Sequence, residues 1–361
     1  MNIILITGAR APAALEMARS FFKAGHKVIM ADSMCFTIAR WSNTVAKYYR
    51  LPSPRYKAAE YIHELKRIIS NENITHLVPT CEEVFYLSAQ KEKLNCIVWT
   101  SGSELMNNLH NKYIFSRFGS CYFSIPETKL VKDFSNWADS ESFVFKPVYS
   151  RFATQTIIGK KMFANDFDES SGERWIAQKR VFGKEICIYS IWENGVLKAY
   201  AAYHPLYRAG KGSGIFFEPV ADAPTYELVK EFGTSIKYNG QLCFDVIIDR
   251  DKKPYFIECN PRATSGVHLI NEAIARCFLE NDLFIFKGAQ EYSIKYALAI
   301  LYPFSFFRKR VRASKDVIFS RQDKLPFLLQ ILSFFEIAYI KFSKRLSWLE
   351  ATTGDIEWNG L

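Results

Sequence analysis

The 361-residue sequence has no CxxC pair, and no histidine lies at zinc-finger spacing from any of its eight cysteines. The common structural zinc sites are therefore excluded. Several cysteines, such as Cys187 and Cys243, lie inside apolar runs, as buried thiols do. The chain has no G-x-G-x-x-G turn, no internal repeat, no long low-complexity linker and no recognisable Ser-His-Asp or Cys-His arrangement. It does not open on a basic region followed by an apolar stretch and a cleavage site, so a reducing, cytoplasmic setting is expected. The longest apolar stretch, Leu325 to Ile340, is interrupted by Gln330 and Glu336 and is short for a bilayer. No membrane span is expected.

What is present describes a globular protein. Hydrophobic residues make up 49% of the chain and charged residues 23%, enough apolar material for real cores. The length exceeds one compact core and suits two or three lobes of roughly 150 residues each. The net charge of +10 fits either a polyanion-binding surface or a cleft for a small, highly charged anion such as a nucleoside triphosphate.

Along the chain, Asn2 to Thr7 is an apolar run ending in Gly8-Ala9-Arg10. A helical pattern from Ala13 to Ala24 follows, stopped by Gly25, and then a second apolar run, Lys27 to Ala31. Strand, glycine turn, helix and strand begin a doubly wound parallel sheet. Helices over Ala58 to Ser70 and Glu82 to Lys91, with strands at His76 to Pro79 and Asn95 to Thr100, continue it. One glycine in the first turn, where a dinucleotide fingerprint needs three, argues against a nicotinamide site. The strand ends Gly8 to Ala11 and Thr80 to Glu83 should instead border a ligand crevice. Beyond residue 100, short strands alternate with turns, at Phe143 to Pro147, Trp175 to Val181, Ile186 to Trp192 and Lys198 to His204. This is α+β texture with antiparallel hairpins. The tail from about residue 291 is aromatic and basic.

The most informative segment is Leu242 to Arg262. Two apolar runs flank the polar loop Arg250-Asp251-Lys252-Lys253, a size that joins hairpin strands. Pairing Asp249 with Pro254 sets Ile248 against Tyr255, Val246 against Ile257 and Asp245 against Glu258, with Cβ atoms about 5 Å apart. Asn260 shares the face of Glu258. Facing carboxylates inside an apolar hairpin are unfavourable unless a cation joins them. Two carboxylates and an amide oxygen suit a hard cation such as magnesium, which usually also holds substrate phosphates. The alternative is a register slipped by one, with one carboxylate solvated at a sheet end.

These motifs resemble the ATP-grasp superfamily, particularly carboxylate–amine ligases similar to the carbamoyl-phosphate synthase large subunit. The resemblance covers nearly the whole chain. It implies a pre-ATP-grasp α/β domain with a parallel sheet (1–100), then a two-lobed α+β ATP-grasp domain (101–290, lobes dividing near 180). A C-terminal helical extension (291–361) would pack on the ATP-grasp core. The metal pattern, an acid and then E-x-N-x-R, is matched by Asp245, Glu258, Asn260 and Arg262. By resemblance the first three hold two magnesium ions, with manganese able to substitute, and Arg262 contacts phosphate. Lys112 and Lys146 resemble the two phosphate-contacting lysines. Lys112 reads equally as a surface lysine, whereas Lys146, inside an apolar strand, needs an anion.

Trp175 to Glu185 resembles the linker between lobes. Lys179 and Val181 would present backbone to adenine, Glu185 would hold the ribose, and Gln178 stands where many members have an acid. The loop after Lys146 lacks the family's glycines, so side chains of Ser150, Arg151 and Thr154 would do some of the phosphate binding. Gly210 to Gly214 supplies a later glycine-rich loop, making Arg208 and Lys211 candidates for holding carboxylate or phosphate. His268 is a candidate acid or base. Arg308 to Arg312, beside Phe304, Phe306 and Phe307, reads as a membrane-surface or RNA-binding helix, or as a cap packed on the core. The cap is preferred, and the closing ATTGDIEWNG favours an integrated tail.

The implied activity is ATP-dependent activation of a carboxylate as an acyl-phosphate, followed by capture by an amine, with an amino acid as one substrate. Partners are small molecules, not nucleic acid, and a homodimer is compatible. The rivals are a phosphotransferase that stops at the phosphorylated product, a nicotinamide oxidoreductase, and a nucleic-acid-binding protein.

Overall fold

The computed structural model describes residues 1–150, 155–167, 174–210, 212–221 and 223–360. The apolar N-terminal runs become the strands β1 (Ile3–Thr7), β2 (Lys27–Asp32), β3 (Lys47–Arg50), β4 (His76–Val78) and β5 (Ile97–Val98). They form a parallel sheet in the order β3-β2-β1-β4-β5. The helices α1 (Pro12–Lys23), α2 (Ala58–Glu72) and α3 (Glu83–Ser88) make the crossovers. β1 is central and nearly all buried, which explains its continuous apolar sequence. Pro12 stands at the start of α1, where its missing N–H costs nothing. The edge strand β3, Lys-Tyr-Tyr-Arg, was not anticipated from the sequence.

Strand order reverses between β1 and β4, so a crevice lies beyond their carboxyl ends. Gly8 makes the turn there with φ +76°, and a Cβ would come within 2.3 Å of Thr80 Oγ1. Only glycine fits this position.

Next come α4 (Ser103–His110) and α5 (Lys112–Gly119), then β6 (Thr128–Leu130), β7 (Phe143–Pro147), β8 (Ile157–Ile158) and β9 (Trp175–Lys179). These strands form a four-stranded sheet in the order β6-β9-β7-β8. The remaining strands are β10 (Lys184–Glu193), β11 (Val196–Ala209), β12 (Ser213–Pro219), β13 (Gly240–Ile248), β14 (Pro254–Asn260), β15 (Phe284–Ile285), β16 (Tyr292–Ser293) and β17 (Lys315–Asp316). They build an eight-stranded sheet, β14-β13-β10-β11-β12-β16-β17, with β15 on β11. α6 (Tyr226–Ser235), α7 (Val267–Ile270) and α8 (Ile274–Leu279) lie against it.

This large sheet is covered on both faces. Ile188, Trp192 and Phe244 pack with Phe232 of α6. Tyr189, Ile191 and Cys243 share a single core with Ile4 and Phe21 of the N-terminal unit. The parallel and antiparallel units are therefore joined by a common hydrophobic core.

The C-terminal region comprises α9 (Lys295–Leu301), α10 (Lys309–Ala313), α11 (Leu325–Lys344) and α12 (Trp348–Thr353). One expectation changes here. The apolar run continues as a helix to Lys344 and is long and apolar enough to cross a bilayer by length and composition. The basic aromatic segment packs on the large sheet, with Val311 and Phe306 against Phe216 and with Arg310 paired to Glu218 and Glu291, while Phe304 and Phe307 stay 80% and 79% exposed.

The closing segment is integrated. Arg10 donates to Asp32 Oδ1 at 3.0 Å, to Asp355 Oδ1 at 2.6 Å and to the Thr352 carbonyl at 2.8 Å. Trp358 N donates to Glu82 and Tyr86 donates to the Glu357 carbonyl. This fork also occupies Asp32, the acid at the end of β2 that a dinucleotide site would use for ribose. Asp32→Ala, at a nearly fully buried ion pair, should destabilise the protein by about 3 kcal/mol in urea unfolding. Asp355→Ala should cost clearly less, because that carboxylate is 26% exposed.

Candidate active site at the carboxylate strand pair

Asp245 and Glu258 face each other across β13 and β14, as the spacing predicted. The reason differs from the simple count. Near the loop the pairs are Ile248 with Pro254, Ile247 with Tyr255 and Val246 with Phe256, one residue off the expected register. A β-bulge between Asp245 and Val246 absorbs Ile257, and the expected register resumes at Asp245. Asp249 folds the loop by accepting from the N–H groups of Asp251 and Lys253.

Two lysines answer this pair of acids. Lys146, on β7, and Lys112, the first residue of α5, are both nearly fully buried. Their ammonium groups lie 3.8 and 3.6 Å from Glu258 Oε2. Lys112 also donates to the Ser150 carbonyl at 3.2 Å. Asn111 caps α5 by accepting from Tyr113 N and Ile114 N, which fixes where Lys112 begins.

The charges are unbalanced in an instructive way. Burial alone would raise the Glu258 carboxyl, but the two ammoniums overcome this and hold it at about 2. Among the described residues, Asp245 has no ammonium or guanidinium in ion-pair contact. Burial, with the Glu258 and Glu185 carboxylates, pushes it up to about 7. Burial lowers Lys146 to about 8 against the pull of Glu258. One carboxyl thus favours its proton and one ammonium is short of counter-charge. A divalent cation bearing phosphates would correct both.

Asn260 Nδ2 donates to Asp245 Oδ2 at 3.3 Å, and its Oδ1 accepts from Arg262 at 3.3 Å. Arg262 also lies 3.6 Å from Glu82 Oε1 of the N-terminal unit. Among the described residues, no three His, Cys, Asp or Glu side chains cluster as a complete metal site.

Lys146, Asp245, Glu258, Asn260 and Arg262 line the floor of a cleft of about 830 Å³. Ser150, Gln178, Lys179, Val181, Glu185 and Arg208 line it as well. Gln178 is buried on β9, its Nε2 donating to Thr128 at 3.0 Å. Lys179 turns its ammonium to Asp139 and Ser142, and its N–H is bonded to the Glu127 carbonyl. A Cβ on Gly183, in the following turn, would sit 2.0 Å from the Ile248 carbonyl, so the linker lies directly on β13. Glu185 and Arg208 form an ion pair across β10 and β11, and Arg208 also donates to the Gly212 carbonyl.

His268 borders the cleft but is buried, bonded to Glu16 of α1 at 3.0 Å and stacked on Phe217. Arg151, Thr154 and Lys211 lie outside the described residues. Arg10, Ala11, Thr80 and Cys81, from the strand ends expected to border a crevice, line the cleft as well. The walls that sequence reasoning missed are Ile294, Ala297, Ile337 and Thr353, from C-terminal elements.

No family model matches the sequence, and no curated protein does either. Solved structures do match in fold. A biotin carboxylase from Campylobacter jejuni, in complex with β-γ-ATP, aligns with TM-score 0.60 and 16% identity over 77% of this chain and 70% of its own. N5-carboxyaminoimidazole synthetase from Staphylococcus aureus, complexed with ADP, aligns with TM-score 0.60 and 15% identity over 78% and 79%. An L-amino acid ligase from Bacillus licheniformis gives TM-score 0.56 and 14% identity over 76% and 69%. The chain has the ATP-grasp fold.

The charge imbalance has a measurable sign. With its folded pKa above the unfolded value, Asp245 binds its proton more tightly when folded, so its ionisation removes stability between about pH 4 and 7. In the absence of nucleotide, Asp245→Asn should raise the melting temperature at pH 8. It should change it little at pH 4.

Proposed function

We propose that the protein is an ATP- and magnesium-dependent ligase that activates a carboxylate as an acyl-phosphate and joins it to an amine, one partner being an amino acid. The observation that carries this reading is the Asp245–Glu258 pair set against the buried ammoniums of Lys112 and Lys146. With magnesium, ATP would supply the phosphoryl group that turns the carboxylate into an acyl-phosphate, leaving ADP; the amine would then attack the acyl carbon and phosphate would leave, giving an amide.

The chain's own part is positioning and neutralisation of charge, without a covalent nucleophile. Asp245, Glu258 and Asn260 would hold the cation, and the bound cation would take the place of the Asp245 proton. Lys112 and Lys146, released in part from Glu258, would bind phosphate oxygens. Because the Gln178 amide nitrogen is already bonded to Thr128, its carbonyl oxygen is the group left for the adenine amino group. The backbone of Lys179 and Val181 would border the base, and Glu185 would take the ribose hydroxyls after giving up Arg208. Ser150 and Thr154 belong to the phosphate loop in this reading. Arg262, Arg208 and Lys211 would hold the substrate carboxylate or the transferring phosphoryl group. His268, tied to Glu16, acts as a strut between units more readily than as an acid or base.

The named neighbours fit this chemistry: an L-amino acid ligase and a synthetase bound to ADP share the fold. The soluble, cytoplasmic setting and the homodimer expected from the sequence belong to the same reading.

The test is release of ADP and phosphate from magnesium and ATP in the presence of pools of amino acids and other carboxylic acids. The expected result is ADP, formed only when both a carboxylate and an amine are supplied, with an amide product. ADP without amine dependence would indicate a phosphotransferase, and AMP with pyrophosphate an adenylating enzyme. Asp245→Ala and Glu258→Ala should each lower turnover by about 10²–10³-fold or more while retaining a cooperative melt.

A further inference from the structure

α11 is inside out. Its buried residues are Pro326, Gln330 and Ser333, while Leu325, Leu328, Phe335, Tyr339 and Phe342 are 50–73% exposed. Those five lie at intervals of three, seven, four and three residues, which places them on one stripe of the helix. Beside the stripe, the helix is fastened to the body. Glu336 accepts from the N–H groups of Cys35 and Phe36 at 2.8 and 2.6 Å, and α11 packs on the turn over Ala39–Trp41. A second exposed apolar group, Ile300, Leu301, Phe304 and Phe307, lies on the preceding segment. α9 and α11 also border the same cleft, through Ala297 and Ile337. Apolar surface on this scale marks an interaction face.

Charge identifies what that face meets. Residues 291 to 345 contain eleven Lys and Arg against four Asp and Glu, a net +7 out of the chain's +10. All four acids are engaged: Glu291 with Arg310, Asp323 with Arg19, Asp316 and Glu336 with backbone N–H groups. Among the described residues, Arg310 is the only one of the eleven bases in an ion pair. Bases flank both ends of the helix, Arg321 and Lys324 before it and Lys341, Lys344 and Arg345 at its close. An apolar stripe with basic flanks matches the boundary between acyl chains and anionic headgroups. A second copy of the chain would bring the same positive charge against itself, which disfavours self-pairing.

We infer that the protein docks on anionic lipid bilayers through the exposed face of α11 and the Ile300–Phe307 segment, with α11 lying in the plane of the interface. A spanning helix is disfavoured because Gln330 and Ser333 are buried against folded protein at mid-length and Glu336 is bonded to the Cys35 and Phe36 N–H groups. Docking does not depend on the ligase reading, since it uses none of the cleft's charged groups.

The experiment is co-sedimentation of the full chain with phosphatidylcholine vesicles, with and without phosphatidylglycerol. The inference expects binding to the phosphatidylglycerol vesicles at least about tenfold tighter than to phosphatidylcholine alone, weakening as salt rises. Two exposed-surface variants should each lose at least about tenfold in this binding. One is the apolar set Phe335→Ser, Tyr339→Ser and Phe342→Ser, and the other the charge set Lys341→Glu, Lys344→Glu and Arg345→Glu. Melting curves matching the parent confirm that both fold. Equal binding to the two lipid compositions, or unchanged binding by folded variants, would overturn the inference. So would resistance of bound protein to high-salt and alkaline washing, which would mark a spanning helix. A dimer in sedimentation equilibrium that dissociates with the apolar set would likewise overturn it, by assigning the face to a second copy.

Discussion

Two carboxylates on adjacent strands repel one another, and the architecture around the cleft answers that repulsion. Each ion loses hydration energy on burial, and only well-placed opposite charge returns it. The protein supplies two ammoniums from separate elements, Lys146 from the small sheet and Lys112 from the start of a capped helix, and both lean on Glu258. Among the described residues, Asp245 has beside it the Glu258 and Glu185 carboxylates, the Asn260 amide and the Cys187 thiol, and burial pushes its carboxyl up. Such a local loss of stability is the pattern expected where binding rather than folding sets the side chains, and in the proposed reading a divalent cation would relieve it.

The same residues tie the units together. Arg262 follows the carboxylate strand and reaches Glu82 of the N-terminal unit. Gln241, on the same sheet, donates to the Pro79 carbonyl, and His268 bonds to Glu16. The C-terminal segment closes the circuit through Asp355 and Arg10. With one core running through Phe21, Tyr189 and Val267, the parallel sheet acts as a fixed wall of the cleft. The small sheet is different. Its core of Phe134, Phe143 and Phe145 stands apart, so any opening of the cleft is most easily accommodated there.

How much of this the sequence carried depended on whether the signal was local. The strand pair was legible because two acids interrupt otherwise apolar runs, and because alternation fixes which side chains share a face. The bulge was not legible: Ile257 looks like any strand residue, and only the three-dimensional ladder reveals that it has no partner opposite. The edge strand β3 was missed because two lysine or arginine residues around two tyrosines carry no run of apolar residues. Lys146 was legible as a lysine in an apolar strand, whereas Lys112 looked like a surface residue until α5 was seen packed against β14. The outward face of α11 inverted the usual inference, because apolarity predicts burial only when the protein itself supplies the cover.

The division of labour within the cleft follows from these differences. Its floor is built from residues such as Lys146, Asp245, Glu258 and Asn260, whose types and spacing could be read in one dimension. Its far wall is assembled from Arg10, Thr80, Ala297, Ile337 and Thr353, positions spread over more than 300 residues of sequence and joined only by the fold. In the proposed ligase the floor would hold cation and phosphate, whatever the rest of the ligand looked like, and discrimination among substrates would fall to that wall. Because Ala297 and Ile337 belong to the helices that also carry the exposed apolar face, a change in how those helices pack would reshape the wall without touching the carboxylates.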